Sequence, residues 1–291
     1  MRPINTSYDI FIFGYGSRAK NDIIPVVDIT FPKSNKFIYA TSRKKVNING
    51  EIVTIKSFSE FSGTYKLENN IAFISVPPSE QLRVFNKINN ELFKFDRIFI
   101  DTPIVEKSLI DMSNIEVLED FPFSPIGSVF KHLQKKRGGG LIFYRCLFKY
   151  HGVSLLRTLV GDVNSMRKIS FRLARYKFTF VFSSCIILIV SPRKYEICKV
   201  LTSNYFFNPK RLNIEYISHD NCVKVDGHKV DLINSYEQSF LTSCKNIDVF
   251  KNIDMFKKIG LSRLIYRSIT VNKIQYSCAK AYYDYINGEN I

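Results

Sequence analysis

Over the first 120 residues of this 291-residue chain, short apolar runs alternate with segments of helical spacing. Tyr8-Asp9-Ile10-Phe11-Ile12-Phe13, Phe37-Ile38-Tyr39-Ala40-Thr41, Ile71-Ala72-Phe73-Ile74-Ser75-Val76 and Arg97-Ile98-Phe99-Ile100 read as strands. Nearly continuous apolar runs of this kind suit strands covered on both faces. Pro77-Pro78 close the third strand, and Ser79 is expected to cap a helix carrying Leu82, Val84, Phe85 and Ile88. The alternation predicts an α/β fold, a parallel sheet doubly wound with helices on both faces. Ligand chemistry in such a sheet gathers at the carboxyl ends of the strands.

After Asp120 the pattern changes. Ile126 to Lys136 reads as a helix with Val129, Phe130 and Leu133 on one face, followed by a Gly138-Gly139-Gly140 turn and the strand Leu141-Ile142-Phe143-Tyr144. A short helix is expected around Val153 to Leu159. From Ile169 onward come β segments: Ile169 to Leu173, Phe178 to Val190, Tyr195 to Leu201, Leu212 to Ile217 and Cys222 to Val230, with Asp226-Gly227 marking a hairpin. This half predicts an α+β domain with a mostly antiparallel sheet. The boundary is expected near residues 118 to 125.

The first strand runs directly into Gly14-Tyr15-Gly16-Ser17-Arg18-Ala19, a Gly-x-Gly-x-x-Ala turn. Two glycines after a buried strand let the backbone turn tightly and approach a pyrophosphate, which then faces the free N–H groups of the next helix. The small Ala19 lets helix and strand pack closely. Gly14, Tyr15, Gly16, Ser17 and Arg18 are therefore candidate pyrophosphate contacts. The second strand ends in Ser42-Arg43-Lys44, where such folds meet the adenosine ribose. An acidic residue there would favour NAD, whereas Ser42, Arg43 and Lys44 suit the 2′-phosphate of NADP. NADP is thus the expected cofactor and NAD the alternative; the blander possibility is that Arg43, Lys44 and Lys45 form a solvated loop. Val76, Pro77 and Pro78, at a third strand end, are expected along the same crevice.

Charge and composition refine this picture. Lys and Arg number 42 against 26 Asp and Glu, a formal net charge of +16. Such an excess suggests an anionic partner, but the basic residues are scattered and no RNA-recognition, zinc-finger or helix-turn-helix signature is present, so no specific nucleic-acid partner is expected. The six cysteines include no Cys-x-x-Cys pair, which indicates neither a zinc site nor a disulfide framework. His219 and His228 flank a turn without a metal-ligand pattern, and no metal is expected. The 25 Phe and 16 Tyr fall mainly at core positions; Tyr282-Tyr283-Asp284-Tyr285 is a candidate interface or sheet-docking segment. The apolar run Phe178 to Val190 is shorter than the ~20 residues needed for a membrane helix, and no apolar leader core precedes the first strand. A cytoplasmic protein without a membrane span is expected.

Taken in order, the glycine turn with Ile23-Ile24-Pro25, Ala40-Thr41-Ser42-Arg43, Ser75-Val76-Pro77-Pro78-Ser79, Asp101-Thr102-Pro103, Glu119-Asp120-Phe121-Pro122-Phe123-Ser124-Pro125 and the segment His151 to Gly161 resemble the Gfo/Idh/MocA oxidoreductases. The resemblance implies a Rossmann dinucleotide-binding domain over residues 1–120 and an α+β substrate and oligomerisation domain over 121–291. It also implies hydride transfer between NAD(P) and a small-molecule, carbohydrate-type substrate: a sugar, nucleotide sugar or related metabolite, with polysaccharide biosynthesis as a candidate setting. An exposed sheet face in the second domain would make a homo-oligomer.

The family commonly supplies a Lys in a Glu-Lys-Pro tripeptide as base for the substrate hydroxyl. Here the tripeptide is Asp101-Thr102-Pro103; Thr102 is no general base near neutral pH, though its hydroxyl can orient a substrate. His151 fits the family histidine that leads into a leucine-rich helix and has a suitable intrinsic pKa, while the position four earlier is Leu147. If extended, the segment sets Lys149 and His151 on one side. His151 is accordingly the first catalytic candidate, with Lys149, Thr102 and Asp101 in support. The alternative is a catalytically degenerate nucleotide-binding or partner protein of the same fold.

Overall fold

The computed structural model describes residues 3–48, 50–62, 69–89, 95–102, 104, 106–110, 115–124 and 127, and beyond them the eight strands and one helix given below. The chain divides into two compact units, one built on Met1–Leu118 and the other on Glu119–Ile233, with later segments shared between them.

The first unit holds a seven-stranded sheet in the order β3-β4-β2-β1-β5-β6-β7. Its strands are β1 (Asp9–Phe13), β2 (Asn35–Ala40), β3 (Lys44–Ile48), β4 (Glu51–Ser57), β5 (Asn70–Ile74), β6 (Arg97–Asp101) and β7 (Ile115–Leu118). Every pair is parallel except β3 with β4. Strand order reverses at β1, where the chain leaves to β2 on one side and later returns to β5 on the other. That reversal is the switch point at which doubly wound sheets open a ligand crevice. Register makes the crevice level: Phe13 lies opposite Tyr39 on β2 and Ile74 on β5, and Ile74 opposite Ile100 on β6.

The apolar runs form these strands because both sheet faces are covered. Ile10, Phe11, Ile12 and Phe13 are all buried. Phe11 stacks on Phe37, Phe13 on Tyr39, and Phe61 and Phe95 meet Phe11 and Phe13 edge-on. Phe73 and Phe99 stack with ring centroids 4.8 Å apart. These aromatics build core, as their sequence positions indicate.

Between β1 and β2 a helical segment begins at Ser17 and continues through α1 (Ile24–Thr30). Its second stretch, Ala19–Ile23, is π-helical, with the Ile24 N–H bonded back to the Ala19 carbonyl. Pro25 has no N–H to give the preceding turn, and the wider turn accommodates that loss. Helix α2 (Pro78–Ile88) buries Gln81, Val84, Phe85 and Ile88, the i, i+3, i+4, i+7 stripe of a helix lying on a sheet. Ser79 does not cap it: Pro77 occupies the cap position and no side chain caps the end. Two consecutive prolines fix φ and remove donors, so the helix starts a residue before the expected serine. A short α3 (Lys107–Ile110) precedes β7.

The β3–β4 hairpin is the element the apolar pattern does not announce. Lys44, expected as a nucleotide contact, and Lys45, which the blander alternative puts with it in a solvated loop, open the edge strand β3 and pair with Ile55 and Thr54. Gly50 closes the turn with φ +89°, and its N–H donates to Asn47 Oδ1 at 2.9 Å.

The second unit carries an eight-stranded sheet in the order β15-β14-β13-β12-β8-β11-β10-β9. These strands are β8 (Leu141–Arg145), β9 (Arg167–Leu173), β10 (Tyr176–Phe182), β11 (Ile186–Ser191), β12 (Ile197–Asn204), β13 (Asn208–Ile217), β14 (Cys222–Val225) and β15 (His228–Val230). Only β8 and β11 pair in parallel; the rest are antiparallel. The run Phe178 to Val190 is two strands rather than one, with Phe178 opposite Val190 and Phe182 opposite Ile186. Val225 pairs with His228, in keeping with the hairpin signal between them. The fold is therefore mixed α/β, with a parallel Rossmann-like sheet followed by a mostly antiparallel one.

Helix α4 (Met255–Val271) comes near the end of the described chain. A side chain at Gly260 would place its Cβ 2.3 Å from the Asp120 carbonyl oxygen, so helix and backbone meet there without room for one. The helix expected over 126–136, apart from Gly127, lies outside the described residues, as do the segments 138–140, 153–159 and 282–285. No described helix is long and apolar enough to cross a membrane.

Candidate dinucleotide site

The two glycines of the turn after β1 have different physical reasons. Gly14 adopts φ +113°, and a Cβ there would lie 2.0 Å from the Ser75 carbonyl oxygen. The fold itself requires glycine at that position. Backbone bonds fasten the turn to both neighbouring strands: Gly14 N–H donates to the Tyr39 carbonyl at 2.8 Å, and Ser75 N–H to the Phe13 carbonyl at 2.7 Å. Gly16 is the opposite case, since a Cβ built on it meets nothing within 4 Å. Packing does not explain glycine here, whereas a group approaching the bare backbone from outside does.

Ser17 opens the helical segment immediately after Gly16, and Lys20 N–H bonds back to the Gly16 carbonyl at 3.0 Å. The first-turn N–H groups of a helix have no partner within it and make an anion-facing surface. Asn21 Nδ2 donates to Ser17 Oγ at 2.9 Å, which leaves the Ser17 hydroxyl proton available to a ligand oxygen. Ala19 is fully buried, the close packing its small side chain allows. An open Gly16 face beside a helix start fits the pyrophosphate of a dinucleotide.

Arg18, expected at that pyrophosphate, bonds two carboxylates. Its Nη1 donates to Asp22 Oδ2 at 2.8 Å and its Nε to Asp101 Oδ1 at 3.3 Å, with the side chain only 16% exposed. Asp101 gathers further donors: Thr102 N–H on Oδ1 and Ser75 Oγ on Oδ2, both at 3.0 Å. Gln81 Nε2 donates to the Asp101 carbonyl at 2.8 Å. One buried residue thus joins the glycine-turn helix, the exit of β5, the end of β6 and the start of α2. A carboxylate so engaged fixes geometry, and taking up a proton would disrupt the bonds that hold it. Thr102 follows it, half-buried.

At the end of β2, Ser42, Arg43 and Lys44 are all exposed. Arg43 Nη1 is 3.7 Å from Glu60 Oε2, with its side chain 69% exposed, a pairing of little energetic weight. Lys44 reaches back to the glycine turn, its Nζ lying 5.1 Å from the centroid of the Tyr15 ring. Lys20 Nζ lies 4.7 Å from the same ring. Burial pushes the Tyr15 phenol above its ordinary pKa, which keeps the ring neutral beneath its cations. Lys20 is the residue that local pattern reading passes over, since its link to Tyr15 and Lys44 arises only when strand, turn and helix are assembled. The one local signal was a lysine directly after the Gly-x-Gly-x-x-Ala motif.

Val76 packs on the turn, its Cγ1 3.2 Å from where a Gly14 Cβ would stand. Pro77 is exposed and Pro78 begins α2. The structure therefore brings together Gly14, Tyr15, Gly16, Ser17, Lys44 and Val76 around one turn, with Thr102 held through Asp101. His151 and Lys149 lie outside the described residues.

No protein-family model matches the sequence, and no curated protein matches it. Solved structures do match over nearly the whole chain. Levoglucosan dehydrogenase in complex with NADH and levoglucosan superposes with a TM-score of 0.59 at 9% identity, covering 95% of this chain and 94% of its own. An oxidoreductase from Agrobacterium radiobacter in complex with NAD+, L-tartaric acid and magnesium gives 0.58 at 10% identity, with 98% of each chain covered. The WlbA dehydrogenase from Chromobacterium violaceum with NADH and UDP-GlcNAcA gives 0.52 at 10% identity, covering 94% and 97%. At such identities the likeness is one of fold. The chain has the two-domain architecture of these dehydrogenases.

Proposed function

We propose that the protein is an NAD(P)-dependent oxidoreductase that prefers NADP and acts on a sugar, nucleotide sugar or related metabolite, with polysaccharide biosynthesis as its candidate setting. The observation that carries this reading is the Gly16 backbone, open to its surroundings at the switch point of a parallel sheet. The like-folded proteins support its coarser part, a nicotinamide cofactor and a sugar-type substrate, being solved with NAD+ or NADH and, in two cases, with levoglucosan or UDP-GlcNAcA; the preference for NADP rests on Ser42, Arg43 and Lys44.

In this reading residues 1–120 bind the dinucleotide, and residues 121–291 carry the substrate and oligomerisation surface. Gly14, Tyr15, Gly16 and Ser17 take the pyrophosphate on backbone N–H groups and the Ser17 hydroxyl. Arg18 serves the same site by bracing the turn against Asp22 and Asp101. Ser42, Arg43 and Lys44 face the 2′-phosphate, and Val76, Pro77 and Pro78 border the bound cofactor. A bound nicotinamide would supply the hydride chemistry. His151, supported by Lys149, moves the substrate hydroxyl proton, Thr102 orients that hydroxyl, and Asp101 holds Thr102 through its backbone N–H.

A second reading, a nucleotide-binding partner protein without turnover, is favoured by one observation. Thr102 stands where a base is needed, and the adjacent carboxylate is engaged by Arg18, Ser75 and Thr102. Assaying the purified chain with NADP+ and NAD+ against a panel of sugars and nucleotide sugars separates the two. Turnover supports the enzyme; dinucleotide binding with no turnover on any member supports the partner protein.

A further inference from the structure

The cluster on the Tyr15 ring goes beyond the pattern Ser42-Arg43-Lys44. Lys20, from the first helical turns after the glycine motif, and Lys44, the first residue of β3, hold their ammonium groups 4.7 and 5.1 Å from one ring centroid. Two like charges on one ring approach to within roughly a screening length, ~10 Å at 0.1 M salt. Each gains from the aromatic face, and each repels the other. Among the described residues no ion pair joins a carboxylate to either lysine; Glu60, which follows β4, lies 3.7 Å from Arg43 instead. A dianion placed between the lysines would relieve the repulsion and use both charges.

We propose that Tyr15 is a platform on which Lys20 and Lys44 together read the 2′-phosphate of NADP, so that Lys20 is a specificity-determining residue of the cofactor site. This rests on the dinucleotide reading above. A phosphate monoester carries about −1.5 to −2 charge at neutral pH, whereas the 2′-hydroxyl of NAD is uncharged and gains little from two ammonium groups. Both lysines are exposed, so their ammonium groups are open to a ligand at the ring. Arg43, 69% exposed and drawn to Glu60, assists from the rim. Lys45 lies next to Lys44, but strand alternation sends it to the opposite face of the hairpin. It therefore serves as a charge-matched control.

The test is fluorescence titration of the full chain with NADPH and NADH, paired with thermal shift by adenosine 2′,5′-bisphosphate against 5′-AMP. Lys20→Gln and Lys44→Gln should each weaken NADPH binding about tenfold, the scale of one charge-assisted contact, and change NADH binding less than about twofold. Tyr15→Leu should lose several-fold for NADPH without any change of charge, while Tyr15→Phe keeps the preference. Lys45→Gln should leave the NADPH to NADH ratio within about twofold of wild type. A Lys20→Gln variant that behaves like Lys45→Gln overturns the role of Lys20. Wild-type protein that binds both dinucleotides equally overturns the 2′-phosphate assignment but leaves the dinucleotide reading intact. Wild-type protein that binds neither overturns both.

Discussion

At the scale of single residues, the glycine motif separates into a structural and a functional member. Gly14→Ala must accommodate a Cβ 2.0 Å from the Ser75 carbonyl at φ +113°; a loss of about 3 kcal/mol or more in denaturant unfolding is expected, from strain and displaced backbone. The chain gives Asp101 a comparable role, with Arg18, Ser75 and Thr102 on its carboxylate. Asp101→Ala removes the acceptor for all three and should cost about 3 kcal/mol, the scale of breaking a buried ion pair, measured as a fall in the urea midpoint at unchanged slope. Sequence made the turn legible because a continuous apolar strand and two glycines are local signals. The bond from Arg18 to Asp101 spans 83 positions, beyond any local pattern. The Lys20, Tyr15 and Lys44 cluster was hidden for the same reason.

At the scale of elements, legibility follows burial. β1, β5 and β6 are apolar on both faces and read directly as strands. The β3–β4 hairpin carries Lys44, Lys45 and Glu51 on an edge, and its pattern resembles a charged loop. Ile52 shows how open this edge is, at 76% exposure. A hairpin held mainly by its own pairing is sensitive to its turn: Gly50 sits at φ +89° with nothing within 4 Å of a built Cβ. Gly50→Ala should therefore cost only the left-handed conformational penalty, about 1 kcal/mol, read by thermal unfolding. A loss of several kcal/mol would mean that the turn is packed rather than free. The helix after the glycine motif makes the converse point, because Pro25 was visible in sequence while the π-helical turn before it was not. Only the missing N–H, placed in a continuing helix, explains the wider turn.

At the scale of the whole molecule, a formal net charge of +16 frames how the site meets an anion. Dinucleotides approach a cationic protein, and NADPH brings more negative charge than NADH. Raising salt from 0.05 to 0.5 M, a change in screening length of roughly threefold, should weaken NADPH binding more steeply than NADH binding. Equal salt slopes would mean that the 2′-phosphate meets no fixed charge. The two-domain scaffold was legible because the first half alternates strands with helices and the second runs strand to strand. The split of Phe178 to Val190 was less so, since two apolar strands joined by a short polar step read as one run.

Whether the bare backbone at Gly16 receives the pyrophosphate of a dinucleotide, as proposed, is tested by a single substitution. Gly16→Val adds a branched side chain where the folded protein has open space, so its unfolding free energy should stay within about 1 kcal/mol of wild type. Titrated with NADPH by nicotinamide fluorescence, wild-type protein should bind saturably, and Gly16→Val should lose at least about tenfold in affinity, some 1.4 kcal/mol. A folded Gly16→Val protein that binds NADPH as tightly as wild type would contradict a pyrophosphate contact at Gly16.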